Sequence, residues 1–354
     1  MSRFLMPPPA RNARRLALRL GPFSTRLAVR GLAANLLLAS YLLLVVWLGL
    51  SLGSRPIPLA TILAWLRLEQ VNDTDSIILG SLRAPRLCLS MLSGAMLALS
   101  GALTQHVTRN GLADPGLIGV RSAAALLIVA LILAWPQAPL ALRPVVGLAG
   151  GLLAGLVVGL LARGASPLKF VMIGFGISWC LSSALVILLA SADIRSLQRA
   201  MMWLAGSLEG ADWPAVRLAL VVFVPTAIAC LGLARQAELL DLGAATASAL
   251  GINQTRLHVA CLAIAVLLVA TSVSVAGGLG FVGLVAPHMA RFLPRQGLAG
   301  RLICATLIGA LLVMVADLAG NVAFAPIRLP VGISLAAIGA PVLILLLWLR
   351  RNRI

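Results

Sequence analysis

Ten carboxylates, three histidines (His106, His258, His288), one lysine and five cysteines are all that these 354 residues offer for acid–base, nucleophilic or metal chemistry. Their spacing argues against an enzyme. No HExxH pair, Cys/His cluster or G-x-S-x-G elbow occurs, and the histidines lie far apart, so the expectation is no catalytic residue and no metal site. The single lysine, Lys169, follows Ser166-Pro167-Leu168 rather than a glycine loop. No nucleotide cradle is present, and the chain is expected to carry no cofactor of its own. Cys88, Cys180, Cys230, Cys261 and Cys304 form no CxxC pair and read as small apolar fillers. Among the acids only Asp317 falls well within an apolar run, while Asp114 and Glu209 sit at the ends of such runs. An ion-coupled transporter needs intramembrane carboxylates, so ion coupling fits poorly, and hydrogen bonding at a helix break is the better reading of Asp317. One polar knot stands out, RNGLADPG at 109–116. As a turn it has Gly111 and Gly116 as caps and Pro115 as a stop. As a working part it would sit at the mouth of a pathway.

The elements that position these residues follow from composition. Apolar residues make up 61% and charged residues 11%, against about a quarter charged in soluble domains. Runs such as 32–53 and 145–162 reach or approach the roughly 20 residues that span a bilayer as helix. Proline, glycine and charge clusters divide the chain into about ten spans: 32–53, 88–106, 116–135, 144–163, 169–190, 215–235, 257–276, a short 279–293, 302–320 and 331–350. The net charge of +18 forms no stripe with interleaved aromatics, which excludes a nucleic-acid partner. It reports topology instead. Arg3, Arg11, Arg14, Arg15, Arg19, Arg26 and Arg30 precede the first span with no acid among them, and basic residues favour the same side thereafter; both termini are expected in the cytoplasm. The first span is too long for a signal peptide and reads as an uncleaved helix.

The expected organisation is a basic cytoplasmic tail (1–30), suited to anionic headgroups, and one transmembrane domain (31–354). Two hydrophilic segments interrupt the latter. The inner one, 236–256, reads as two short amphipathic helices around Gly243 or ended by Gly251. Leu239, Leu240, Leu242, Leu250 and Ile252 would turn inward and Glu238, Asp241, Asn253 and Gln254 outward. The outer one, 191–214, carries Trp203 and Trp213, residues typical of a membrane interface. RNGLADPG and GLGFVGLVAPH (278–288) place a break in each half, as in transporters built from repeats.

Four segments in order, RAPRLCLSMLSGAMLALSGALTQHVTRNGLADPGLIGV (83–120), LLDLGAATASALGIN (239–253), GLGFVGLVAPHMARFL (278–293) and LPVGISLAAIGAP (329–341), resemble the permease subunits of FecCD-type ABC importers. The resemblance implies an all-α, type II ABC importer permease in the bacterial inner membrane, with interrupted helices and a cytoplasmic coupling loop at 236–256. It further implies a second permease, identical or related, two ATPases that hold ATP and Mg, and a soluble or lipid-anchored substrate-binding protein. It also implies roles for particular residues. Asn110 and Leu112 become cytoplasmic gate residues, with Gly111 where relatives carry proline. Glu238, Asp241, Gly251 and Asn253 become contacts for the ATPase. Arg83 and Arg86 match an RxPR pattern that receives acidic side chains of the binding protein. Asn321 stands where relatives carry a third arginine, and Arg328 is expected to supply that missing charge. Gly94, Ala95 and Ser100 become pathway residues, with close helix packing as the alternative, and Arg121 a pathway cation suited to an anionic chelate. The function implied is import of a ferric siderophore, with haem or cobalamin as the alternative substrates and an ion-coupled secondary transporter as the less favoured class.

Overall fold

A chain in lipid must satisfy its backbone polar groups within each segment, and the long apolar runs accordingly fold as helices. The computed structural model describes residues 15–20, 23–53, 55–163, 167–294, 297–324 and 328–350. Arg3, Arg11 and Arg14, used above for topology, lie outside the described residues, as do Arg295, Arg351 and Arg353. In chain order, the antiparallel pair β1 (Arg15–Leu20) and β2 (Phe23–Ala28) leads into α1 (Val29–Ser51). A short α2 (Leu59–Leu66) precedes a continuous rod of α3 (Asp73–Ile77), a π-helical segment (Ile78–Arg83) and α4 (Ala84–Thr108). After a 3-10 turn (Pro115–Ile118) come α5 (Val120–Ala134), α6 (Leu142–Leu161), α7 (Pro167–Ala190), α8 (Ile194–Leu204) and α9 (Trp213–Leu239). A second 3-10 turn (Leu240–Leu242) and α10 (Ala244–Ala249) lead to α11 (Gln254–Ala276), α12 (Val282–Ala290), α13 (Leu298–Val322) and α14 (Val331–Arg350).

By length and composition, 7 helices among the described residues can cross a bilayer, and α5 and α14 add shorter apolar ones. Every expected span has its helix, α12 being the short one. Three features depart from the expectation. Part of the tail pairs as β1 and β2, whose R-L-A-L-R-L stretch alternates with the period of a strand. The second spanning helix begins at Asp73 rather than 88. The outer segment 191–214 contains α8, started by Asp193, whose Oδ1 accepts from the N–H groups of Arg195 and Ser196 at 3.0 and 3.1 Å. Hydrogen bonds from the Ser196 side chain and N–H hold the Asp193 carboxyl below its ordinary pKa.

The core is built around α4. Its spanning window is 83% buried, against 11% for α1 and 6% for α7, so α4 is the axis while α1 and α7 present apolar faces outward. Helices α9, α11, α12 and α13 pack around it. Small residues allow that approach: a Cβ on Gly94 would overlap the Gly309 carbonyl of α13, and one on Gly101 would overlap Gly283 of α12. Gly94→Ala is therefore expected to cost about 1–3 kcal/mol through overpacking. Gly159→Ala in α6, where a Cβ meets nothing within 4 Å, should be neutral or stabilising. Thermal unfolding in detergent separates the two, and equal midpoints would refute the packing account.

Candidate functional site

The two helix breaks, distant in sequence, meet in space. Arg109 ends α4 with a left-handed φ of 51°, and Phe281, at φ 66°, opens α12. Between them, Gln105 Nε2 donates to the carbonyls of Gly283 and Leu284 at 3.4 and 3.3 Å. Arg291 Nη2 donates to Gln105 Oε1 at 3.1 Å. On the far side of the knot, Arg121 Nη2 donates to the Gly278 carbonyl at 3.0 Å, and its charge is attracted by Asp114. Desolvation pushes the Asp114 carboxyl above its ordinary pKa, against the opposing pull of Arg121 and of the Gly116 N–H. Arg121 thus straps one break to the other.

The knot is also a turn. Asn110 Oδ1 accepts from Leu112 N at 2.9 Å, and both side chains are exposed, Leu112 by 52%. Gly111 lies against Arg291: a Cβ there would stand 2.9 Å from its Nη1. The Arg291 side chain, which also binds Gln105, therefore closes over this position.

The end of α4 is held to the 236–256 segment. Arg109 Nη2 donates to the Leu240 carbonyl at 2.9 Å. His106 Nε2 lies 3.0 Å from the Ala237 carbonyl and its Nδ1 4.0 Å from Asp241 Oδ1. Asp241 Oδ2 also lies 3.8 Å from Arg301 Nη2 of α13. One carboxylate thereby faces both α4 and α13. Gly243 and Gly251 adopt φ of 103° and 80°. A Cβ at Gly251 would meet nothing within 4 Å, so backbone conformation alone selects glycine there. Asn253 Oδ1 accepts from Arg256 N at 3.0 Å and caps α11. Glu238 is exposed. The apolar pattern is corrected too: Leu240 is buried, whereas Leu242 and Leu250 are each 58% exposed.

At the opposite end the arginines have intrachain partners. Arg86 Nη2 and Nε bind Asp317 Oδ1 and Oδ2 at 2.7 and 2.9 Å, and Nη2 also donates to Asn321 Oδ1 at 3.1 Å. Asn321 Nδ2 in turn donates to the Asp317 carbonyl at 2.7 Å. Arg83 donates to the carbonyls of Leu50, Ser51 and Arg55 beyond α1. Both guanidiniums and Asn321 are thus engaged within the chain, a contact the docking reading did not include. Arg328 is exposed.

Gly94, Ala95 and Ser100 are buried against neighbouring helices, Ser100 Oγ donating to the Ala265 carbonyl at 2.7 Å. In this chain they pack helices, the alternative reading of small residues. Sequence reasoning missed Gln105, Arg109, Arg291 and Arg301. A polar side chain within reach of each break was the available signal.

Comparison with known proteins gives the family. The profile described as the FecCD transport family matches residues 41–349. The Fe(3+) dicitrate transport system permease protein FecD of Escherichia coli (strain K12) is 36% identical over 298 residues, 83% of this chain and 91% of the relative. A probable siderophore transport system permease protein of Bacillus subtilis (strain 168), YfhA, is 34% identical over 289 residues, 79% of this chain and 84% of the relative. A solved inward-facing transporter of the metal-chelate ABC type superposes with a TM-score of 0.81 at 26% identity, over 89% of this chain and 99% of that one.

Proposed function

The chain belongs to the FecCD transport family of multi-pass membrane permeases, and from that premise we propose that it is the membrane-spanning subunit of an ABC importer for a ferric siderophore or ferric citrate. The observation that carries the reading is the junction at the 236–256 segment. Two exposed leucines, Leu242 and Leu250, face outward from a segment whose other side grips the end of α4 through Arg109, His106 and Asp241. That is the arrangement required if a partner's motion is to reach the knot at Asn110 and Leu112. In this reading the partner is a pair of cytoplasmic ATPases, which bring the ATP and Mg, and both chain termini lie in the cytoplasm.

A second permease completes the pathway, and the apolar faces of α1 and α7, buried by only 11% and 6%, leave room for lipid and for that subunit. A binding protein delivers the chelate to the other end, in the outer space of a bacterial inner membrane. Arg328 is an exposed cation there that can receive its carboxylates.

The test is ATP-dependent uptake into proteoliposomes holding the chain with its ATPase and binding protein, comparing radiolabelled ferric citrate, a ferric hydroxamate, haem and cobalamin. Uptake of the ferric chelates alone is expected; uptake of haem or cobalamin instead would overturn the substrate. Arg328→Glu should weaken binding of the loaded receptor by about tenfold or more, given that reversing a charge at an interface opposes its partner. Unchanged binding would remove Arg328 from the docking surface.

A further inference from the structure

At the end opposite the 236–256 segment, a cavity of about 590 Å3 opens beside α8. Helices α6 and α9 both pack on α11, and the cavity fills the gap between their first turns, roofed by α8. Three guanidiniums line it, Arg143 from α6 and Arg195 and Arg199 from α8. Arg199 is held in place, Nη1 donating to the Pro136 carbonyl and Nη2 to Ser196 Oγ, both at 3.0 Å. Its charge repels that of Arg143. Among the described residues no carboxylate lies within 4 Å of any of the three.

Two acids share the lining, Glu209 and Asp212. Asp212 Oδ1 is occupied by the Ala215 N–H at 2.9 Å, capping α9, and Glu209 is exposed. Three guanidiniums against two carboxylates leave the lining itself a single positive charge, with Asp193 outside it attracting Arg199 from the start of α8. The rest of the wall is apolar: Leu140, Val145, Met202, Leu218 and Val275. Val145 and Met202 are 57% and 46% exposed, surface that a soluble anion would leave uncovered.

We propose that this cavity is a phosphate site for an amphiphile, in which Arg143, Arg195 and Arg199 hold a phosphodiester and the apolar wall of α6, α9 and α11 takes an acyl chain. A guanidinium fork matches phosphate oxygens in pairs, and a monoanion matches the one unbalanced charge. Arginines at helix ends stand at headgroup depth in a bilayer, where a phosphodiester is at hand. The same chemistry would accept a soluble phosphate, and the test separates the two sources. The function of the site is to brace α8 against α6 and α9. It is independent of which substrate the transporter carries.

The experiment is native mass spectrometry of the full chain in detergent, titrated with phosphatidylglycerol, phosphatidylcholine or inorganic phosphate. A phosphatidylglycerol adduct is expected to outlast the phosphatidylcholine adduct. It should weaken about tenfold in R143Q/R199Q, the scale of losing a charge-assisted pair. R217Q, on the same helix as the α9 wall but outside the lining, should bind as wild type. Val275→Trp fills the cavity without changing charge and should give the same loss, which keeps the test valid if the double arginine variant folds poorly. Displacement by inorganic phosphate without preference between the lipids would keep the phosphate site and assign it a soluble ligand. Equal retention of both lipids with no effect of phosphate, or a loss in R217Q equal to that in R143Q/R199Q, would overturn the proposal.

Discussion

Replacing Arg86 by alanine is expected to lower the stability of the folded chain by about 3–5 kcal/mol, the cost of leaving a buried partner charge uncompensated. Arg86 and Asp317 side chains are 18% and 6% exposed and joined by two parallel hydrogen bonds, so neither charge has water to fall back on. Asn321 completes the set by accepting from Arg86 and donating to the Asp317 carbonyl. Asp317→Asn removes the charge from the other side and should cost a similar amount. The double variant R86M/D317L removes both charges and should recover most of the loss, because the penalty arises from the orphaned partner rather than from the missing attraction. Thermal unfolding in detergent reads all three variants. If the double variant falls by the sum of the singles, the two residues are not acting as a pair and the clamp between α4 and α13 is refuted.

This pair shows what was legible in the sequence and what was not. The helices were, because each apolar run must be long enough for the bilayer and the breaks between runs carry proline, glycine or charge. The start at Asp73 was not, because Asn72-Asp73-Thr74-Asp75-Ser76 has the composition of a loop. Nor was α8, since Ile194–Leu204 is amphipathic and short, and its polar half concealed it. Asp317 was visible as the one acid deep in a span, and Arg86 was visible as an arginine at a helix start. That the two bind each other could not be read, for they are 231 residues apart. The same limit explains the small residues of α4. Gly94, Ala95 and Ser100 suit a pathway and a tight helix contact equally well, and the approach of Gly309 to Gly94 was not legible in the sequence. At the 236–256 segment Gly243 and Gly251 were correctly read as breaks. Which leucines turn outward depends on the one-turn 3-10 segment at Leu240–Leu242, just before Gly243, which shifts the helical phase and has no clear sequence signal.

The outward leucines carry the second large effect. Leu242→Asp together with Leu250→Asp is expected to abolish co-purification of the ATPase, a weakening of at least about a thousandfold. Truncating a central apolar contact costs 2 kcal/mol or more, and a carboxylate buried against an apolar cleft adds its own desolvation. The chain should still fold, because both side chains are 58% exposed and the segment is held from its other face. Asp241→Ala provides the contrast. It cuts the links to His106 and Arg301 while leaving the leucines in place, and these partly exposed pairs contribute little to stability. ATPase association should persist while ATP-driven uptake falls, since the partner would then grip a segment that no longer moves the end of α4. Pull-down with the ATPase and uptake in proteoliposomes, measured on the same preparations, distinguish docking from transmission. Wild-type association in the double leucine variant would place the ATPase elsewhere. Wild-type uptake in Asp241→Ala would show that Arg109 and the His106 contact to Ala237 transmit the motion without it.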